Sequence, residues 1–329
     1  MPLQKVVLML GPRDLSQLRF GFSPLWECVG AFRAWLDPTR HALLLPWLTR
    51  QGPFRSPREW EPLASLATVG RGAIPDFLSP PPVNPSPCFA EELERLRGVS
   101  THVMQEETRI AFPNGLPPQL RLIHSHPRQF VAQLATKLEQ FWRAAVAPEW
   151  NLFRSKLEAE VLFRARALAL GGPVALFNGL HSDIRYRNSK LTIQTLSHWD
   201  SGRRKEGLLL VPSIFAWPDI FLTVRPPWRP SITYTCRGVA ELWSDAEHGT
   251  SHRAKQLLGA TAARLLARLR HPQTTIEVAT AFRLSPAAVS EQIHKLWNAG
   301  FLQRTRVGCR VFYSLNPRGI ALLDLLEQQ

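Results

Sequence analysis

Apolar residues recur at helical spacing in the first half of the chain. The pattern is clearest over Leu25–Leu36, Phe130–Ala147 and Trp150–Leu170, each long enough for an amphipathic helix. Gly171-Gly172-Pro173 predicts the end of the last one. The prolines of Pro75–Pro87 support neither a helix nor a central strand, so this segment is expected to be an extended surface loop.

The period then changes to that of strands. Asp183–Tyr186 and Lys190–Thr195 alternate on either side of an Asn188-Ser189 turn, and Gly207–Phe215 and Ser231–Cys236 have strand-like composition. The fold class is therefore predicted to be α+β, with a mixed N-terminal domain over residues 1–243. The polar, glycine-containing residues 244–252 are interpreted as a linker, and residues 253–329 as a second domain.

The second domain begins with a helical pattern over Lys255–Leu269. Thr274-Thr275-Ile276-Glu277 fits a capping box and predicts a short helix, Thr275–Phe282. Ser285-Pro286 is a second start signal, for a helix ending at Asn298 before Gly300. Two short helices joined by a tight turn predict a helix-turn-helix.

A hairpin and a final helix complete this domain. Phe301–Arg306 and Arg310–Leu315 are strand-like, and Pro317–Leu326 is helical, which is the order of a winged helix. The inward face of the helix pair is expected to hold Val278, Ala279, Leu284, Val289, Ile293 and Leu296. The side chains expected to face base edges are short or polar: Ala287, Ala288, Ser290, Glu291, Gln292 and His294. Those expected to contact the DNA backbone are Thr274, Ser285, Lys295, Arg304, Arg306 and Arg310.

Composition supports a polyanionic partner. The formal net charge is +14, and residues 253–329 alone hold eleven lysines and arginines against four carboxylates. The 45% of hydrophobic residues suffices for a packed core, but no apolar run reaches the length of a membrane span, so a cytoplasmic protein without membrane contact is expected. Cys28, Cys88, Cys236 and Cys309 are scattered, which favours neither a disulfide framework nor a zinc ribbon.

The second domain resembles the ArsR/SmtB winged-helix repressors. The resemblance lies in Leu257–Leu269, Thr275–Leu284, S-P-A-A-V-S-E-Q-I-H-K-L-W-N-A-G-F-L (Ser285–Leu302) and R-V-G-C-R-V-F-Y-S-L (Arg306–Leu315). The upstream region resembles an uncharacterised domain that precedes such winged helices, through F-S-P-L-W-E (Phe22–Glu27), H-A-L-L-L-P-W (His41–Trp47), P-D-F-L-S-P-P-P (Pro75–Pro82), L-L-L-V-P-S-I-F-A-W-P (Leu208–Pro218) and R-G-V-A-E-L-W (Arg237–Trp243). The resemblance implies a homodimeric transcriptional repressor that binds double-stranded DNA, with Lys255–Leu269 and Ile320–Leu326 as dimer contacts.

The usual metal ligands of that family are missing. The helix before the predicted recognition helix reads T-T-I-E-V-A-T-A-F, and the last helix reads A-L-L-D-L-L-E-Q-Q. Neither holds a thiolate set or a His/Asp cluster, so we expect no metal and no cofactor. The expected input is a small organic effector received by the N-terminal domain, in which the sequence does not locate the pocket.

Two other functions remain open at this stage. One is an enzyme with an accessory winged helix, and the other is a protein-interaction module. His124-Ser125-His126 has no third ligand at a diagnostic spacing, and His181-Ser182-Asp183 lacks a nucleophile motif. No phosphate-binding glycine loop is present either. No catalytic residue is therefore predicted, and the chain is not expected to be an enzyme.

Overall fold

The computed structural model describes residues 4–51, 57–67, 74–195, 207–243, 252–270, 272–282, 284–307 and 310–327. The chain forms two compact units. The N-terminal unit consists of residues 1–150 and 160–239, and the C-terminal unit of residues 151–159 and 240–329. The predicted linker, 244–252, lies outside the described residues except for its last position, and the division assigns a short upstream segment to the C-terminal unit.

Helices and strands mix throughout the chain. Among the described residues, nine helices precede the linker: α1 (Pro12–Ser16), α2 (Pro24–Leu36), α3 (Leu45–Arg50), α4 (Leu63–Ala67), α5 (Phe89–Arg97), α6 (Thr101–Ala111), α7 (Leu122–Ser125), α8 (Pro127–Phe141) and α9 (Trp150–Asn178). Shorter helical turns occupy Pro38–Arg40, Ala42–Leu44, Pro57–Trp60, Asp76–Leu78, Pro118–Leu120, Trp142–Val146, Ala147–Glu149 and Ala240–Leu242. The strands of the N-terminal unit are β1 (Gln4–Met9), β2 (Arg19–Phe20), β3 (Ile184–Arg187), β4 (Lys190–Thr195), β5 (Leu209–Ser213), β6 (Phe221–Thr223) and β7 (Ser231–Thr235).

Two sheets form the strand layer of this unit. One is antiparallel with order β1-β4-β3, and its β3–β4 hairpin turns at Asn188 and Ser189, whose φ angles of 50° and 59° confirm the predicted turn. The other has order β2-β5-β7-β6, with β2, β5 and β7 parallel and β6 antiparallel to β7. Every residue of β5 is buried, as expected for a strand covered on both faces.

Residues 83–86 of the proline-rich segment are exposed, as predicted for a surface loop, but the residues before them are not. Residues 75–82 are buried apart from the half-buried Asp76, and Phe77 and Leu78 are fully buried. Their backbone is satisfied by distant side chains, because Phe77 N donates to the carboxylate of Glu107 at 2.6 Å and Arg95 donates to the Pro81 carbonyl at 3.0 Å. A segment without regular structure can be buried when other elements supply its hydrogen bonds.

The break predicted at Gly171-Gly172-Pro173 is present, and a second helical part follows it within α9. The helix kinks at Gly172, with φ 66° and ψ −166°, and resumes after Pro173 as far as Asn178. Because a proline at the start of a helix costs no hydrogen bond, the second part begins without penalty. Leu176 and Phe177 of this part belong to a buried apolar cluster that also contains residues of both sheets.

In the part of the C-terminal unit that the structure describes after residue 251, there are five helices and one hairpin. They are α10 (His252–Leu258), α11 (Ala260–Arg268), α12 (Thr275–Phe282), α13 (Pro286–Asn298), β8 (Leu302–Val307), β9 (Arg310–Leu315) and α14 (Pro317–Glu327). The prediction of one helix over Lys255–Leu269 is wrong, because Gly259 adopts φ 80° and separates α10 from α11. Leu257 of α10 is 73% exposed.

The core of this unit is apolar. Its members come from α11, α12, α13, the hairpin and α14: Leu265, Leu266, Leu269, Val278, Ala279, Phe282, Val289, Ile293, Leu296, Leu302, Leu315 and Leu323. Five of the six residues predicted to face inward are among them. Leu284 is the exception: it lies in the turn between α12 and α13 and is 40% exposed.

No helix among the described residues is long and apolar enough to cross a membrane.

Candidate functional site

Local hydrogen bonds fix the ends of α12 and α13. The Thr274 amide donates to the Glu277 carboxylate at 2.8 Å, and the Glu277 amide donates to the Thr274 hydroxyl at 3.3 Å, which confirms the capping box. Ser285 accepts from the Ala288 amide at 3.2 Å, with Pro286 in the first helical turn. Gly300 follows α13 with φ 76°, the left-handed conformation that glycine adopts most readily. The Ser285 hydroxyl uses a lone pair for the cap, so its hydrogen can still be donated to an acceptor.

The two faces of α13 differ sharply. Val289, Ile293 and Leu296 are buried in the core of the C-terminal unit. The other face carries the residues predicted to meet base edges: Ala287, Ala288, Glu291 and His294 are exposed, and Ser290 and Gln292 are half-buried. The exposed Lys295 forms an ion pair with Glu291 at 2.8 Å, one helical turn away.

The β8–β9 hairpin is joined to the helices by a third backbone segment. Gln273, between α11 and α12, exchanges two backbone hydrogen bonds with Tyr313 of β9, at 2.9 and 2.8 Å. After residue 251 the described elements thus have the order helix, helix, isolated bridge, helix, helix, hairpin, helix.

The three arginines of the hairpin do not share a face. In the antiparallel register Arg304 pairs with Tyr313 and Arg306 with Val311, so these residues lie on the same face as the buried pair Leu302 and Leu315. Arg310 lies on the opposite face, since side chains alternate along a strand. We call these the Arg304 face and the Arg310 face.

The exposed tip of the Arg304 face carries positive charge. Arg304 and Arg306 are both exposed, whereas Leu302 and Leu315 at the other end of this face belong to the core. The guanidinium groups of Arg304 and Arg306 therefore lie on the exposed part of this face, beyond the buried pair Leu302 and Leu315.

Arg310 contacts the first turns of α9. Its guanidinium donates to the Ser155 hydroxyl at 3.1 Å and to the Glu158 carboxylate at 3.2 Å. Glu158 also accepts from Arg154 at 2.8 Å. Sequence reasoning grouped Arg310 with Arg304 and Arg306 and missed Ser155 and Glu158, because 152 residues separate Glu158 from Arg310.

Glu277 lies close to the same charges. Burial raises the pKa of Glu277 to about 7, against hydrogen bonds from Thr274 and the charge of Arg310, which lower it, while the charge of Glu158 adds to the rise. Arg310 thus contacts the carboxylate of Glu158, and its charge also acts on Glu277.

The N-terminal unit holds buried carboxyl groups that sequence reasoning also missed. Glu27 is fully buried and accepts from the Ile214 amide at 3.1 Å; burial raises its pKa to about 8. Asp76 hydrogen-bonds Thr223, and burial together with the charge of Glu107 raises its pKa to about 8. No local pattern marks these residues, since their partners are distant in sequence.

The histidine clusters show no metal or catalytic geometry. His124 and His126 are exposed, and His181 Nδ1 accepts from the Asp183 amide at 3.1 Å within a local turn. Across the part of the chain that the structure describes, no group of three or more His, Cys, Asp or Glu residues could hold a metal ion.

Comparison with known proteins gives one match. Residues 119–240 match a family model described as a family of unknown function (DUF5937). The match begins before α7 and ends before the linker, so it includes Ser155 and Glu158 but none of α10–α14. Neither a curated protein nor a solved structure matches the chain.

Proposed function

We propose that the chain is a DNA-binding transcriptional regulator, a repressor, whose C-terminal unit is a winged helix-turn-helix. The observation that carries this proposal is the capped pair α12–α13, with the short and polar outer face of α13 in the same unit as the Arg304 face. A helix with such a face fits the major groove, and a basic hairpin in a winged helix fits the neighbouring backbone. The cross-strand contact of Gln273 with Tyr313 supports the winged-helix topology.

Each surface residue has a distinct proposed role. Ser290, Gln292 and His294 read base edges, because their side chains donate or accept hydrogen bonds on the outer face of α13. Lys295, Arg304 and Arg306 bind phosphates, which orient the protein but carry no sequence information. The Glu291–Lys295 ion pair rearranges in the complex, since its lysine meets phosphate there.

The test begins with selection of bound sequences from a random duplex library by the full chain. Arg306→Gln is then expected to weaken binding to selected and random duplexes alike and to make the salt dependence shallower by about one counterion. Gln292→Ala is expected to weaken only the selected sequence, by about 1–3 kcal/mol. Arg318→Gln, which removes an exposed arginine of α14, is the matched control and should leave both nearly unchanged. Failure of the full chain to select any sequence would refute the proposal.

The regulator is proposed to act as a homodimer. Helices α10 and α14 pack together through Ala254, Leu258, Leu322 and Leu326. The same two helices expose Leu257 by 73% and Leu325 by 67%, an apolar surface that a second copy would cover. Sedimentation of the wild type should give a dimer and that of Leu325→Glu a monomer. A monomeric wild type, free and on DNA, would remove this part of the proposal.

The input is proposed to be an organic effector bound by the N-terminal unit. A ligand alters DNA affinity only if it binds the two states of the protein unequally, typically by about 5–150-fold. DNA affinity of the full chain is therefore to be measured with zinc, with a chelator and with a library of small organic molecules. An effect of zinc alone would assign the input to a metal instead.

A further inference from the structure

The two faces of the hairpin differ in exposure. Phe312 and Ser314 on the Arg310 face are buried, whereas Arg304 and Arg306 on the Arg304 face are exposed. Phe312 and Ser314 share the Arg310 face and are 1% and 7% exposed. The side chain of Arg310 itself is 28% exposed, and its partner Glu158 13%. The strand alternation therefore places Arg310 on the face that also holds the buried Phe312 and Ser314.

The charges around Arg310 oppose the approach of a phosphate. Glu158 accepts from Arg310, and Glu277 lies near enough for its charge to respond to both. A guanidinium that already donates to a carboxylate has fewer donors for phosphate, and the carboxylates would repel the added anion. Arg304 and Arg306 are on the opposite face from these carboxylates.

Glu158 and Ser155 bind Arg310 of the hairpin from one turn of α9. Glu158 accepts from Arg154 on its own helix and from Arg310 on β9, while Ser155 accepts a second hydrogen bond from Arg310. A guanidinium with two acceptors on one helix turn has a fixed position, because both bonds must be kept together.

We propose that Arg310 is a positioning residue: with Glu158 and Ser155 it fixes the hairpin against residues 151–159, so that Arg304 and Arg306 meet the DNA backbone at the side of α13. This inference rests on the proposed function. It makes the first turns of α9 part of the DNA-binding unit, although they precede the rest of that unit by about a quarter of the chain.

The deciding experiment measures affinity for a mixed-sequence DNA duplex against salt concentration, with the full chain. Arg310→Gln and Glu158→Gln should each weaken binding, roughly fivefold, with little change in the salt slope. The sign for Glu158→Gln is decisive. If Arg310 instead bound phosphate in competition with Glu158, removal of that carboxylate would free the guanidinium and strengthen binding, which would overturn the inference.

Two controls separate position from charge. Glu139→Gln removes the α8 carboxylate that pairs with Arg143 in the following turn, an i,i+4 pair like Arg154–Glu158, and should not weaken binding. The reversed pair Arg310→Glu with Glu158→Arg should bind more tightly than Arg310→Glu alone, since it restores the contact without a cation at position 310. Absence of this rescue would count against a positioning role.

A readout without DNA keeps the two proposals distinct. In a double-mutant cycle on chemical unfolding, Arg310→Gln and Glu158→Gln should be coupled by about fivefold in the unfolding equilibrium constant. If the two substitutions are coupled but the wild type binds no duplex, the proposed function is refuted and the Arg310–Glu158 contact is retained. If the wild type binds a duplex but the two substitutions are not coupled, only the positioning role of Arg310 is refuted.

Discussion

The two units place their carboxyl groups differently. The N-terminal unit buries Glu27, Glu92 and Glu107 and half-buries Asp76, each hydrogen-bonded to partners on other elements. The core of the C-terminal unit is apolar, and of its described acids only Glu158 and Glu277 are substantially shielded, both close to the charge of Arg310. We therefore expect pH to act mainly on the stability of the N-terminal unit. Under the proposed function, we expect salt to act on DNA binding by the C-terminal unit.

The largest expected effect is a loss of stability of the N-terminal unit as pH rises from about 5 to about 9. The folded-state pKa values of Glu27 and Asp76 are raised to about 8, so the folded state holds protons that the unfolded state releases above pH about 4 to 5. The stabilisation is complete below that range and is lost as pH rises through about 8. At about 1.4 kcal/mol for each unit of pKa shift, Glu27 alone accounts for a fall on the order of several kcal/mol in the free energy of unfolding over this pH range.

Denaturation at a series of pH values measures this effect, and Glu27→Gln is the matched variant. Because the amide is neutral at every pH, the variant should show a flatter dependence than the wild type. A wild-type stability that is constant or rises over this range would break the contrast between the two units.

The next effect tests the apolar core of the C-terminal unit. Ile293→Ala removes a side chain that is 1% exposed, and we expect a loss of about 3 kcal/mol in the free energy of unfolding, from lost burial and the cavity left behind. Gln292→Ala, the half-buried neighbour on the same helix, should stay within about 0.5 kcal/mol of the wild type. Equal losses in thermal denaturation would show that α13 does not bury the face assigned to the core.

A smaller effect is expected at the start of α12. Thr274→Ala removes the hydroxyl that accepts from the Glu277 amide and should cost about 1 kcal/mol. Thr280→Ala on the exposed side of the same helix removes only a bond to the Ile276 carbonyl and should cost less. Chemical denaturation compares the two, and a larger loss for Thr280→Ala would contradict the capping role.

The smallest effect concerns a surface ion pair. Asp324 accepts from Arg270 at 2.7 Å, but the two side chains are 49% and 38% exposed. Water and salt screen such a pair, so Asp324→Asn should change the free energy of unfolding by only a few tenths of a kcal/mol. A loss greater than about 1 kcal/mol in denaturation would show that charge matters more in this unit than its exposure suggests.

Sequence reasoning was accurate where the hydrogen bonds are local. Thr274 and Glu277 are three residues apart, as are Ser285 and Ala288, and the bounds predicted for α12 and β9 match those observed. It was inaccurate where burial depends on remote partners. Residues 75–82 looked exposed from their prolines, yet Glu107 and Arg95 satisfy their backbone from other helices.

The sequence by itself determined the caps of α12 and α13, the left-handed Gly300 and the turn at Asn188 and Ser189. Each depends on side-chain chemistry and backbone conformation within a few residues, which the order of residues specifies directly. Only the tertiary structure decided that Glu27 is buried against Ile214, and that Arg310 meets Glu158 while Arg304 and Arg306 are exposed on the other face. These contacts join segments more than 150 residues apart, and their geometry follows from strand register and helix packing, which no local pattern encodes.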